Sequence, residues 1–106
     1  MPIKKYQKEL DASFRKLKWS YWPPLVILAR LTEEVGEFAR LVNHRFGMKK
    51  KKVGEAEQDM EEELGDIIYT LICFANQNGL DLDRAFRKSF NKVMARDKHR
   101  FSKKKK

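Results

Sequence analysis

The spacing of the apolar residues is the feature that most limits how this 106-residue chain can fold. From Ile3 onward they recur at intervals of three and four, and the same spacing returns in three later segments. No segment alternates apolar and polar residues as a half-buried strand would. We therefore predict an all-α fold of four amphipathic helices joined by short connections, resembling a four-helix bundle.

Proline, glycine and aspartate mark the predicted helix ends. The pair Pro23-Pro24 disfavours helix before it and tolerates a helix after it, so a second helix should span about 25–44, with Gly47 as its stop signal. Asn78-Gly79 should end a third helix of about 55–77. Asp81 is a suitable N-cap for the fourth helix. These signals divide the chain into four helices of a single domain.

The size of the chain suggests that it does not act alone. A domain of this length buries only a modest core unless a partner covers part of its surface. We expect one helical domain over residues 1–102, completed by oligomerisation. Residues 103–106 are four lysines beyond the last apolar helical residue, Phe101, and should form a basic, disordered tail.

The net charge of +9 would favour contact with nucleic acid. Lysine runs at 49–52 and 103–106 carry eight of these charges, however, and the rest of the chain is close to neutral. Nucleic acid is therefore not the expected partner. A non-enzymatic basic helical module that binds nucleic acid remains the alternative function.

The sequence also bears on location. No apolar run approaches the roughly 20 residues that span a bilayer, and no apolar segment follows the basic N-terminus as in a secretory signal. The lone cysteine, Cys73, cannot form an internal disulfide. We expect a cytoplasmic protein with no membrane partner.

One acidic pattern occurs twice, inside the second and the third predicted helices. It is EEVGE at residues 33–37 and EELGD at residues 62–66. Because residues three apart lie on one face of a helix, each motif presents a pair of carboxylates in one direction. Packing the two helices side by side would gather four carboxylates: Glu34, Glu37, Glu63 and Asp66.

Four gathered carboxylates repel one another unless cations neutralise them. Ligands that are all oxygen suit a hard ion, Mg²⁺ or alternatively Mn²⁺. Di-iron bundles use Glu-x-x-His pairs, and neither His44 nor His99 follows a glutamate by three residues. Two solvated acidic faces are the alternative. The repeat weighs against it, as does the glycine inside each helix, which costs about 1 kcal/mol relative to alanine.

These acidic residues resemble the E-x-x-E, spacer, E-x-x-D signature of the all-α nucleoside triphosphate pyrophosphohydrolases. That family comprises the MazG proteins and the related dimeric dUTPases and dCTPases. The resemblance covers about residues 22–101 and implies a MazG-like fold assembled as a homodimer or homotetramer. It also implies Mg²⁺-dependent cleavage of a nucleoside triphosphate between the α and β phosphates, giving a monophosphate and pyrophosphate, with house-cleaning of the nucleotide pool as one role.

The resemblance implies a set of site residues as well. The four signature carboxylates would hold the metal, and Glu34 would thereby take part in catalysis. Glu33 is the first candidate for the base that accepts the proton of the attacking water, and Glu62 is placed equally well on the next helix. Trp22, like Trp19 and Tyr21 before it, could stack on the base or could equally fill the bundle or a subunit interface. The polar residues that would face the phosphates are Lys92, Arg96, Asp97 and Arg100, with a solvated basic stripe as the alternative.

Overall fold

The computed structural model of the protein describes residues 2–47 and 60–104, with side chains described up to residue 97. Four helices make up its regular structure, and the described residues include no strand. The all-α prediction is therefore confirmed. The predicted lysine loop at 49–52 and the predicted first turn of the third helix lie outside the described residues. The helices are α1 (Ile3–Leu17), α2 (Pro24–Phe46), α3 (Met60–Gln77) and α4 (Leu82–Lys104).

The helix ends follow the signals in the sequence. Helix α2 begins at Pro24, and the N–H of Gly47 closes it by donating to the carbonyl of Asn43 at 2.9 Å. Gly79 follows α3 with a φ of +67°, a left-handed conformation that glycine adopts without steric cost. Asp81 caps α4, because its Oδ1 accepts the N–H of Asp83 at 2.9 Å.

Helix α4 continues through Lys104, so its backbone includes the first two residues of the predicted tail at 103–106. Its start is tied to the start of α1. Asp83 Oδ1 accepts the N–H of Ile3 at 2.8 Å, and Asp83 Oδ2 accepts that of Lys4 at 3.2 Å. Pro2, the N-cap of α1, makes no side-chain cap of its own. Asp83 therefore satisfies the first backbone donors of a helix that is distant in sequence.

Helix α3 packs mainly against α2 and less extensively against α1, while α4 contacts α1. The α2 residues that become buried are Ile27 and Glu34, seven positions apart and thus on one face of the helix. Leu28 and Val35, which are apolar residues of the same helix, remain about half exposed. The contact between α2 and α3 thus buries one carboxylate of the acidic motif, Glu34, together with Ile27.

The buried apolar core of the described residues is small. It consists of Ile27, Ile72 and Ala75, and none of the large side chains that the structure describes is fully buried. The radius of gyration of 17.9 Å exceeds the roughly 13 Å typical of a compact domain of this length. A single copy therefore leaves much apolar helix surface open to solvent. In the described part of the chain, no helix is long and apolar enough to cross a membrane.

Candidate metal centre

The two acidic motifs meet where α2 packs against α3. Glu34 comes from α2, and Glu63 and Asp66 come from adjacent turns of α3. One carboxylate oxygen from each of these three residues lies within 4.8 Å of the other two. Glu34 is only 9% exposed and Glu63 only 3% exposed. Buried carboxylates at this separation are unfavourable when all are charged, unless a cation compensates them.

The electrostatics of the cluster follow from this burial. Burial raises the pKa of Glu34, the nearby Asp66 adds to the rise, and Arg30 opposes it. Burial likewise raises the pKa of Glu63, with Glu34 as the next cause. Burial and the neighbouring negative charges both disfavour the charged forms of the two glutamates, whereas a bound cation would favour them. Because the donors are all oxygens, the cluster suits a hard divalent cation.

Glu37 lies near the cluster without joining the three close oxygens. Its Oε2 is 3.6 Å from an Nη of Arg40, one turn further along α2. Its charge still contributes to the raised pKa values of Glu34 and Glu63. The structure thus gathers three of the four predicted ligands, and the role of Glu37 as a fourth stays a prediction.

A cavity of about 590 Å³ opens beside the carboxylates. Glu34 and Asp66 line one part of it, and the irregular segment between α1 and α2 lines another. That segment brings Trp22, one of the aromatic residues singled out from the sequence, to the same cavity as Glu34 and Asp66. The other lining residues are Phe14, Trp19, Ser20, Tyr21, Ile27, Arg30, Tyr69, Thr70 and Cys73.

The predicted phosphate-binding residues of α4 do not line this cavity in the described part of the chain. Among the described side chains, Lys92 and Arg96 are exposed on α4, and Asp97 accepts a hydrogen bond from Arg96 Nε at 3.3 Å. The cavity takes its lining from α1, α2, α3 and the segment between α1 and α2. The side chain of Arg100 lies outside the described part. Contact of these α4 residues with substrate stays a prediction.

The two candidate bases each directly precede a buried carboxylate of the cluster. Glu33 and Glu62 are both exposed. The charge of Glu33 contributes to the raised pKa of Glu34, and the charge of Glu62 contributes to the raised pKa of Glu63. The geometry does not favour either as the residue that accepts the proton of water.

Arg30 is a cavity residue that the acidic motifs do not predict. Its guanidinium carbon lies 6.0 Å from the centre of the Trp22 ring, and its charge lowers the pKa of Glu34. It therefore lies between the aromatic and the acidic parts of the cavity. The available signal was its position four residues before Glu34, which places both side chains on one face of α2.

Comparison with known proteins decides the family. A model of the MazG nucleotide pyrophosphohydrolase domain matches residues 23–101. The chain belongs to this family. The resemblance drawn from the acidic motifs is thereby confirmed, and the protein is a hydrolase of the MazG nucleotide pyrophosphohydrolase type.

Relatives and solved structures agree with this assignment. The MazG chain is 44% identical over 102 residues to the uncharacterised protein YpjD of Bacillus subtilis (strain 168), covering 96% of this chain and 92% of YpjD. The crystal structure of YPJD from B. subtilis is similar with a TM-score of 0.79 at 42% identity, covering 92% and 97% of the two chains. A Bacillus-conserved MazG protein, a nucleotide pyrophosphohydrolase, has a TM-score of 0.73 at 43% identity, with 88% and 90% covered.

Proposed function

We propose that this MazG enzyme hydrolyses a nucleoside triphosphate between its α and β phosphates, releasing a nucleoside monophosphate and pyrophosphate. The observation that carries the proposal is the meeting of Glu34, Glu63 and Asp66 beside an open cavity, which Glu34 and Asp66 line. These residues would hold Mg²⁺, or alternatively Mn²⁺, with Glu37 as a fourth ligand. A bound cation of this kind polarises phosphoryl oxygens and lowers the pKa of the attacking water.

The chain's own residues suit this reaction. Glu34 and Glu63 are held in place by the contact between α2 and α3, so their oxygens need little reorganisation during the reaction. Glu33 is proposed to accept the proton of the attacking water, with Glu62 as the alternative. Trp22 offers a ring face on which a base can stack, an interaction worth roughly 1–3 kcal/mol. Arg30, between Trp22 and Glu34, is placed to contact a phosphate or the sugar.

Incubation of the protein with standard and modified nucleoside triphosphates in the presence of MgCl₂ tests this function. We expect pyrophosphate and monophosphate in equal amounts, and no product when EDTA removes the metal. The panel also separates control of normal nucleotide pools from removal of aberrant nucleotides. Release of inorganic phosphate without any monophosphate would show that a different bond is cleaved.

Exposed cations along α4 favour one alternative function. Arg84, Arg87, Lys88, Lys92 and Arg96 are all exposed and could track a phosphate backbone. A non-enzymatic nucleic-acid module would bind DNA or RNA without sequence preference, lose affinity steeply with salt and need no divalent metal. Binding that persists in EDTA, together with no pyrophosphate release from any triphosphate, would favour this alternative.

We also propose that the enzyme is a homodimer or homotetramer in the cytoplasm. Phe86, Phe90 and Met94 follow one another along α4 and are 42–58% exposed, an apolar surface that a second copy would bury. Light scattering should give two or four times the 12.6 kDa mass of one chain. Phe86→Asp should shift this mass downward because a buried charge opposes association, whereas Lys88→Ala should not. A 12.6 kDa particle at micromolar concentration would contradict the proposal.

A further inference from the structure

The aromatic segment, residues 19–22, forms one wall of the cavity although it belongs to no helix. Most of its backbone groups therefore lack the regular hydrogen bonds that fix a helix in place. The position of this wall relative to the carboxylates must come from other contacts. Those contacts are made largely by side chains of α1 and of the end of α3.

Within the described part of the chain, three side-chain hydrogen bonds anchor the aromatic segment. Asn76 Nδ2 donates to the hydroxyl oxygen of Tyr21 at 3.0 Å, and that hydroxyl donates to Asp11 Oδ1 at 2.8 Å. Gln77 Nε2 donates to the carbonyl oxygen of Trp22 at 2.6 Å. The Tyr21 ring also stacks on Phe14, with centroids 4.5 Å apart. The hydroxyl of Tyr21 thus links α1 to α3 through the cavity wall.

Asn76 is itself held by a fully paired network. Gln7, only 7% exposed, donates through Nε2 to Asn76 Oδ1 at 3.1 Å and to the carbonyl of Leu80 at 2.8 Å. Its Oε1 accepts the N–H of Leu82 at 2.9 Å, and its own carbonyl accepts from Asn76 Nδ2 at 2.9 Å. Both amides therefore use both of their donors and their acceptor oxygen. Pairing of this kind locks the direction in which Asn76 presents its donor to Tyr21.

Helix α3 carries Glu63 and Asp66 of the acidic cluster and also the anchors Asn76 and Gln77. With a rise of about 1.5 Å per residue, Asn76 lies roughly 15 Å along the helix from Asp66. A single rigid helix thus sets the distance between the acidic cluster and the residues that hold the opposite wall. We propose that Asn76 and Tyr21 form a positioning pair that fixes the aromatic segment and so determines how tightly and how selectively the cavity binds a nucleotide. This inference rests on the proposed function.

The chain offers matched variants for testing the pair. Tyr21→Phe keeps the ring that stacks on Phe14 and removes only the bridging hydroxyl. Asn76→Ala removes the donor from α3. Asn78→Ala is the control, because Asn78 Nδ2 donates to the carbonyl of Phe74 within its own helix end at 2.8 Å. Both tryptophans of the sequence lie in the aromatic segment, so tryptophan fluorescence reports on this wall alone.

Two measurements are combined on each variant: the time-resolved anisotropy of the tryptophans and the affinity for non-hydrolysable α,β-imido nucleoside triphosphates with Mg²⁺. We expect Tyr21→Phe and Asn76→Ala to increase the amplitude of tryptophan motion and to weaken binding about fivefold to tenfold, the loss expected for one hydrogen bond. KM should rise by a similar factor, while kcat changes less than about twofold. The ratio between the affinities for the preferred base and for the other bases should become smaller. Asn78→Ala should match the parent in all of these.

The double variant gives a further expectation. If the two residues act as one unit, Tyr21→Phe combined with Asn76→Ala should weaken binding no more than the stronger single change. Should Asn76→Ala fail to fold, Tyr21→Phe decides alone.

Unchanged tryptophan motion, or increased motion with unchanged affinity and base preference, would overturn the inference and leave the network a purely structural role. Absence of analogue binding by the parent would overturn it as well. Absence of pyrophosphate release with intact analogue binding would instead overturn the proposed function, and the anisotropy and affinity data would still decide the positioning role.

Discussion

Glu63→Gln should lower the rate of pyrophosphate release by about 100-fold or more, because loss of one preorganised electrostatic partner typically costs 10²–10³ in rate. The amide keeps the size of the side chain but removes the charge that would hold Mg²⁺ against Glu34 and Asp66. Glu34→Gln and Asp66→Asn should behave in the same way. The measurement is initial pyrophosphate release at subsaturating Mg²⁺, where a weakened metal site has its greatest effect.

Glu61→Gln is the matched control for this loss, since Glu61 is an exposed glutamate on the same helix and lies outside the cluster. It should keep turnover within about twofold of the parent, as expected for a surface substitution. Glu37→Gln tests the fourth predicted ligand, which ion-pairs with Arg40 in the structure. Near-normal release from both Glu34→Gln and Glu63→Gln would contradict the proposed metal site.

Without divalent cations, Glu63→Gln should melt at a higher temperature than the parent. Glu63 is buried beside Glu34, and both burial and this neighbour raise its pKa, so its charged form destabilises the folded protein. Each kcal/mol recovered corresponds to roughly 4–8 °C in a domain of this size. Calorimetry or thermal circular dichroism in EDTA measures the shift.

Added Mg²⁺ should reverse the order of stability. At a concentration of about 100 times its dissociation constant, a ligand that binds only the folded state stabilises by about 2.7 kcal/mol. The parent should gain this stabilisation, and the Gln variant should gain little. Equal Mg²⁺-dependent shifts in melting temperature for the two proteins would show that Glu63 does not hold the metal.

The pH dependence of the metal-free parent follows from the same groups. The pKa values of Glu34 and Glu63 are raised in the folded state above the usual 4.5. At pH values between 4.5 and the raised pKa values, these two groups therefore hold more protons in the folded protein than in the unfolded chain. The stability contributed by these groups should therefore fall as pH rises from about 4.5 through the raised values. Glu63→Gln should show a shallower dependence. If the stability of the parent instead rises over this pH interval, and Glu63→Gln shows the same pH dependence, the raised pKa values assigned to these groups are contradicted.

The acidic site could be predicted from the sequence to a large extent. Two motifs, each with carboxylates three residues apart inside a helix, require only that the helices pack side by side, and the structure brings Glu34, Glu63 and Asp66 together. The place of Glu37 could not be predicted in the same way. Its side chain can turn toward the cluster or toward Arg40, and local spacing does not choose between the two.

Residues whose contacts lie on other helices could not be predicted from local spacing. Gln7 lies within an apolar helical stripe and gave no sign of being the buried residue of α1, because its partners Asn76, Leu80 and Leu82 are about 70 positions away. Arg30 lies outside the E-x-x-E motif although it shares a face with Glu34. Such contacts depend on how helices meet, which the periodicity of one helix does not specify.

Local chemistry in the sequence determined the four helices, their ends at Gly47 and Gly79, the repeated acidic motif and its family signature, because each depends on neighbours within a few residues. Only the tertiary structure decided that α2 buries Glu34 with Ile27 while Val35 stays half exposed. It also decided that the aromatic segment shares a cavity with the carboxylates. The physical reason is that helical spacing defines which residues share a face, whereas the rotation and contacts of packed helices select the face that becomes buried.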